Sequence, residues 1–337
     1  MEPTPPSKIR YVTDDKPGYK RIKKGTGFSY LDLDDKPIKD KAILERINFL
    51  AIPPAWTDVW ISPFDNSHLQ VTGIDAKGRK QYLYHPSWVK VQQEHKFDRM
   101  VEFGEILPKI RRHVREDMDK PSLSRERVLA TVVWLLEHTF IRVGNQEYAE
   151  ENNSFGLTTM RVRHVSVSGE EVKFEFVGKS GVKHSLGIHH PRVAKTIKRC
   201  LELPGYELFQ YLDENGQRQV IDSSDVNEYL QDITGQEITA KDFRTWGGTV
   251  LSALYLKEIG AFEEDKQAEK NIVEAIKKVA KDLGNKPSTC RNYYVHPIIL
   301  ESYKKGTLLT YFEKTVEKKP NGITREEYAV ITLLQEG

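Results

Sequence analysis

The apolar pattern of this chain changes period near residue 88, and that change most narrows the folds open to it. From Phe28 to about Trp88 the apolar residues come in short extended runs broken by turn residues: Leu69 to Ile74, then Asp75-Ala-Lys77-Gly-Arg79-Lys80, then Gln81 to His85. Such runs read as strands, with successive side chains on opposite faces of a sheet. Beyond Trp88 the spacing becomes helical. Ser124 can cap a helix whose apolar positions Val128, Leu129, Val132, Val133, Leu136 and Phe140 follow the 3.6-residue period, with Gly144 as its stop. Extended structure returns briefly at Val165 and Val167, at Val172, Phe174 and Phe176, and in a run opened by Val182, with turns at Ser168-Gly169 and Gly178-Lys179-Ser180-Gly181. Helices are expected again over 190–201, from the capping box Thr239-Ala-Lys-Asp242 toward Ile259, over 269–283 with Gly284 as stop, and after Pro287, carrying Tyr293 and Tyr294 up to Pro297. The expected class is α+β: a small sheet-rich N-terminal domain, residues 1–88, and a larger, mainly α-helical domain with a small antiparallel sheet, residues 89–337. The polar stretch 92–96 is either a hinge or the first helix of the second domain.

Charge excludes little by itself. Lys and Arg total 51 against 49 for Asp and Glu, so a nucleic-acid partner would have to be met by local clustering rather than by net charge. One such cluster is Lys20-Arg21-Ile-Lys23-Lys24, after a loose polar start. Two cysteines, Cys200 and Cys290, are too few for a disulfide framework or a Cys-rich zinc site. No stretch approaches the roughly 20 apolar residues of a membrane span. The expectation is a soluble cytoplasmic protein.

Several motifs can be set aside. Gly178-Lys179-Ser180 has the ending of a phosphate-binding loop, but position 173 is lysine where that loop needs glycine, and a strand follows. His184, His189 and His190 lack a zincin spacing and read as solvated histidines, so no metal site is expected. Three cations at element ends remain: Arg142 in the last turn before Gly144, Lys179 at a hairpin tip, and Arg244 near the start of a helix. Singly, each has an ordinary explanation as a dipole partner, a turn lysine or an exposed helical residue.

Taken together they carry a resemblance. Phe140-Ile-Arg142-Val-Gly144, Phe176-Val-Gly-Lys179, Lys241-Asp-Phe-Arg244-Thr-Trp-Gly and Pro287-Ser-Thr-Cys-Arg291-Asn-Tyr-Tyr294-Val-His-Pro297 occur in the order found in type IB DNA topoisomerases. The chain resembles the compact poxvirus-type enzymes and their bacterial relatives over nearly its whole length. The resemblance implies that Tyr294 is the nucleophile, Arg142 and Arg244 clamp the phosphate, and Lys179 protonates the leaving oxygen. Asn285 stands where the poxvirus-type enzymes have a histidine phosphate ligand, and bacterial relatives resemble this chain in having Asn. In the first domain, Lys77, Arg79, Lys80, Gln81, Tyr82 and Tyr84 resemble the DNA-facing strand and turn of the family; Tyr148 and Lys241 match further positions near DNA. The resemblance also implies a monomer that closes on duplex DNA as a clamp, is bacterial-type and nucleoid-associated, and needs no cofactor, metal or ATP. Two alternatives stay open from the residues: a tyrosine recombinase, which usually has His-x-x-Arg where this chain has Lys241-x-x-Arg244, and a non-catalytic DNA-binding protein.

Overall fold

In a computed structural model the described residues are 9–76, 78–314 and 319–336, without the side chains of 93–95. They form two compact units, Met1–Asp98 and Arg99–Gly337. In the first, β1 (Tyr19–Lys24), β2 (Gly27–Leu31), β3 (Thr57–Ile61), β4 (Leu69–Ile74) and β5 (Lys80–Tyr84) make one antiparallel sheet in the order β2-β1-β3-β4-β5. Helix α1 (Lys41–Phe49) starts where the Asp40 carboxylate accepts from the N–H groups of Ala42 and Ile43, at 2.8 and 3.2 Å. Alternation along the strands turns Val59, Ile61 and Val71 inward onto Ile47 of α1, with Tyr19, Tyr30, Trp56 and Leu83 around them.

Helix α2 (Pro86–Met118) is continuous across the division at Asp98, so the stretch 92–96 is helical. The second unit continues with α3 (Arg125–Thr139), α4 (Gln146–Asn152), strands β6 (Val165–Ser168), β7 (Glu171–Val177) and β8 (Lys183–His189), and α5 (Pro191–Leu201). The sheet β6-β7-β8 is antiparallel, with Val172, Phe174 and Phe176 buried, as the alternation predicts. A short hairpin, β9 (Gln210–Leu212) with β10 (Arg218–Val220), precedes α6 (Ser223–Thr234), α7 (Ala240–Ile259), α8 (Asp265–Asp282), α9 (Pro287–Tyr293), α10 (Pro297–Lys304), α11 (Leu308–Lys314) and α12 (Arg325–Glu336). The middle of this unit is α7, which packs against α3, α8 and α12 and buries most of its first three turns.

Three sequence expectations are corrected. Helix α3 stops at Thr139 and not at Gly144: Phe140 adopts a left-handed backbone, φ 53°, and its N–H closes the last turn on the Leu136 carbonyl. Arg142 therefore lies in the loop beyond the helix and has no helical turn to complement. Tyr294 lies just past α9 as its C-cap. The histidines are not all solvated: His190 caps α5 by accepting from the Val193 N–H at 3.3 Å, and His184 is packed between other groups, as described below.

Candidate functional site

Glycines in the middle of α7 set the site geometry. Gly247 and Gly248 cost a helix interior roughly 1 kcal/mol each relative to alanine. The close packing they permit explains their presence. A Cβ at Gly247 would run into the Phe140 ring, and one at Gly248 would run into the Tyr294 carbonyl. The two glycines thus bring the loop that carries Arg142 and the turn that carries Tyr294 against the same helix. Thr249 secures the second contact: its Oγ1 donates to the Tyr294 carbonyl at 3.4 Å and accepts the His296 N–H at 3.1 Å.

One turn earlier on α7, Arg244 points into this junction and is only 4% exposed. Its guanidinium donates to the carbonyl of Phe140 and, at 2.7 Å, to that of Leu283. It lies 5.2 Å from the centre of the Tyr294 ring. Burial, with Arg142 alongside, brings its pKa down to about 10, the Tyr294 phenol acting in the other direction; it remains a cation at neutral pH.

Helix α8 ends in a Schellman turn. Gly284, at φ 59°, donates to Lys281 at 3.1 Å, and the Asn285 N–H reaches back to Ala280 at 2.8 Å. This presents the Asn285 side chain to Arg142, whose Nη2 donates to the amide oxygen. A guanidinium cannot accept a hydrogen bond, so the amide nitrogen is necessarily turned away from it. That Nδ2, like Arg244 Nε, is buried and has no hydrogen-bond partner among the described residues. Buried donors without acceptors are uncommon in folded proteins, and two of them lie in this cluster.

Lys179 stands at the tip of the β7–β8 hairpin, exposed, with its ammonium 5.6 Å from the centre of the half-buried Tyr148 ring. Lys241 is exposed on the first turn of α7.

Residues 85–319 match the eukaryotic DNA topoisomerase I catalytic core family, and residues 27–75 match the bacterial DNA topoisomerase IB N-terminal domain. The DNA topoisomerase 1B of Acanthamoeba polyphaga mimivirus is 33% identical over 296 residues, which span 86% of this chain and 88% of that one. This chain belongs to the type IB DNA topoisomerases. The DNA topoisomerase 1B of vaccinia virus (strain Copenhagen) is 27% identical over 288 residues, 82% of this chain and 87% of its own. The human DNA topoisomerase 1 is 27% identical over 180 residues, half of this chain and 22% of the human one. These relatives are topoisomerases, and the tyrosine recombinase alternative has no counterpart among them.

Within this topoisomerase, then, Arg142, Arg244, Asn285 and Tyr294 meet along the first half of α7. In the first unit, Tyr82 and Tyr84 stack at 6.1 Å on the same face of β5 and are 46% and 44% exposed. Their neighbours are tied within the unit. Arg79 and Gln81 both bond the Asp75 carboxylate, at 2.6 and 3.1 Å for the nearest contacts, and Lys80 pairs with Asp14 at 2.6 Å. Lys77 lies outside the described residues.

Sequence reasoning missed His184 and the roles of Phe140, Gly247 and Gly248. The glycine pair inside an otherwise strongly helical segment was a readable signal, because such glycines mark a close approach of another chain segment. His184 carried no comparable signal in its spacing. Among the described residues, no three His, Cys, Asp or Glu side chains gather so as to hold a metal ion, and no helix is long and apolar enough to cross a membrane.

Proposed function

We propose that this topoisomerase relaxes positive and negative supercoils by reversible cleavage of one strand through a 3′-phosphotyrosyl intermediate, without ATP or metal. The reading rests most heavily on the gathering of the Arg142 and Arg244 guanidiniums and the Asn285 amide beside the Tyr294 ring. Guanidinium and amide N–H groups are the donors that suit the non-bridging oxygens of a phosphodiester. A free phenol has a pKa of about 10 and attacks poorly at neutral pH. Beside Arg244 the growing phenolate character is stabilised as the Tyr294 oxygen bonds to phosphorus.

The P–O5′ bond then breaks. Alkoxide is a poor leaving group, so Lys179 supplies a proton to the departing 5′ oxygen and the phenol proton is lost to solvent. The phosphotyrosyl ester conserves the bond energy, so the free 5′ hydroxyl can attack it in turn after the duplex has rotated. Lys77, Arg79, Lys80, Gln81, Tyr82, Tyr84, Tyr148 and Lys241 contact the DNA, mainly its backbone, which positions the duplex without reading sequence. For Arg79, Lys80 and Gln81 that contact requires exchanging Asp75 and Asp14 for phosphate. The family resemblance implies that the enzyme acts as a monomer.

The test is plasmid relaxation in excess EDTA with no nucleotide. Both negatively and positively supercoiled plasmid are expected to relax fully; a requirement for ATP or a divalent ion, or relaxation of one sign only, would overturn the reading. A further expectation concerns Asn285. As an amide it cannot titrate near neutrality, so Asn285→Ala should slow single-turnover cleavage by about a hundredfold and leave the shape of the pH profile unchanged. A loss of cleavage below about pH 6.5 that disappears in this variant would contradict the assignment.

A further inference from the structure

Two glycines that flank catalytic candidates face one histidine ring. Gly178 immediately precedes Lys179, and a Cβ there would lie 2.7 Å from His184 Nε2. Gly284 immediately precedes Asn285, and a Cβ there would lie 2.8 Å from His184 Cε1. The His184 ring therefore occupies a slot with the root of the Lys179 hairpin on one side and the Asn285 turn on the other. Its face stacks on Phe176 of β7, with ring centres 4.8 Å apart and planes 10° from parallel. Phe176 is buried, so the ring is held by a rigid neighbour. His184 itself pairs across the sheet with Phe176 in the β7–β8 register.

We propose that His184 is a positioning residue: its ring is the spacer that fixes the Lys179 hairpin against the Asn285 turn, and so sets the lysine ammonium relative to the Arg142–Asn285–Arg244 cluster. The proposal rests on the reading of Lys179 as the acid. Sequence distance shows why a spacer is needed. Lys179 and Asn285 come from different elements, an exposed hairpin tip and a helix terminus, and no bond between the two is made directly among the described residues. An exposed tip would otherwise sample many positions, and a displacement of about 1 Å at a reacting group can cost about a hundredfold in rate. Burial, with Arg142 and then Arg244 nearby, lowers the His184 pKa, so the ring is uncharged at physiological pH and adds no third cation to the cluster.

The test separates the acid from the clamp. A duplex with one mapped cleavage site is made with either oxygen or sulfur at the 5′ bridging position; a thiolate departs without a proton, so the sulfur duplex bypasses the acid. His184→Ala is expected to slow single-turnover cleavage of the oxygen duplex by about 10- to 100-fold and to cleave the sulfur duplex within about threefold of the parent. Gly178→Ala provides a second variant, since position 178 has φ −95°, a conformation alanine adopts freely, and the His184 ring is the obstacle its methyl meets. It should show the same selective loss. Melting temperature and duplex binding, the latter measured in a Tyr294→Phe background, show whether each variant is folded.

Unchanged cleavage of the oxygen duplex by His184→Ala, or equal loss on both duplexes by both variants, would overturn the proposal. Lys179→Ala is run beside them. If sulfur fails to rescue Lys179→Ala, the acid reading has failed; if it rescues Lys179→Ala but neither of the others, His184 alone has been assigned wrongly.

Discussion

Tyr294→Phe is expected to form no covalent DNA adduct and to relax no plasmid, a loss on the order of 10⁴-fold or more, as removal of a nucleophile requires. The substitution leaves the fold intact. The backbone of position 294 is set by its own N–H bond to Cys290 at 2.9 Å, by the Thr249 hydroxyl and by the close approach of Gly248, none of which involves the phenol oxygen. The aromatic ring under the Arg244 guanidinium also remains. Loss of the phenol's hydrogen bond with Arg244 should cost about 0.5–1.5 kcal/mol, and duplex binding should persist. Tyr293 is the residue that could take over. It is the last residue of α9 and 46% exposed, whereas Tyr294 is half-buried beside Arg244. Trapping with denaturant after incubation with DNA decides between them. A covalent adduct in Tyr294→Phe, mapped to Tyr293, would remove Tyr294 from the mechanism.

The second large effect is expected at Arg244, where loss of function and loss of stability arise from the same side chain. Arg244→Ala removes the cation beside the Tyr294 ring and should lower the cleavage rate by about 10² to 10³-fold. It also leaves the carbonyls of Phe140 and Leu283 without the bonds that Arg244 makes to them. Unpaired buried acceptors cost about 1–3 kcal/mol each. Relief of the desolvation of Arg244 and of the repulsion from Arg142 works in the opposite direction, as its lowered pKa indicates. Two carbonyls outweigh it, so a net destabilisation of about 1–3 kcal/mol is expected in chemical denaturation.

Arg244→Lys keeps the charge and is the more discriminating variant. A lysine ammonium cannot reproduce the planar fork that serves two carbonyls and still keeps Nε for a third acceptor. Its cleavage rate should fall nearly as far as that of the alanine variant. A lysine variant cleaving at the parental rate would show that charge alone is required and that the geometry of the fork is not.

Local features of the chain were legible from its spacing. The change of period near residue 88, the three strands after Val165, the capping box at Thr239 and the stop at Gly284 all depend on residues within a few positions of one another. Backbone sterics and hydrogen bonding act at that range. The order of the four motifs was legible for the same reason, and it was enough to place the chain beside the topoisomerases. The misplaced end of α3 shows the limit of such reading. A glycine at 144 was available as a stop, yet the helix turns at Phe140, whose ring needs the room left by Gly247 and whose carbonyl receives Arg244.

What the sequence by itself determined was which elements form and which reactive side chains they carry. Tertiary structure decided the environment of those side chains. Arg244 reads in sequence as an ordinary exposed residue near the start of a helix, and it is buried because α3 and α8 end against it. Asn285 reads as a loop residue, and its amide is oriented by Arg142, 143 positions away. His184 reads as solvated, and it is enclosed by glycines more than a hundred residues apart in the chain. Periodicity and capping report the geometry of a single element. The desolvation of a charge, the partner of an amide and the filling of a slot depend on which elements meet, and long-range packing settles that.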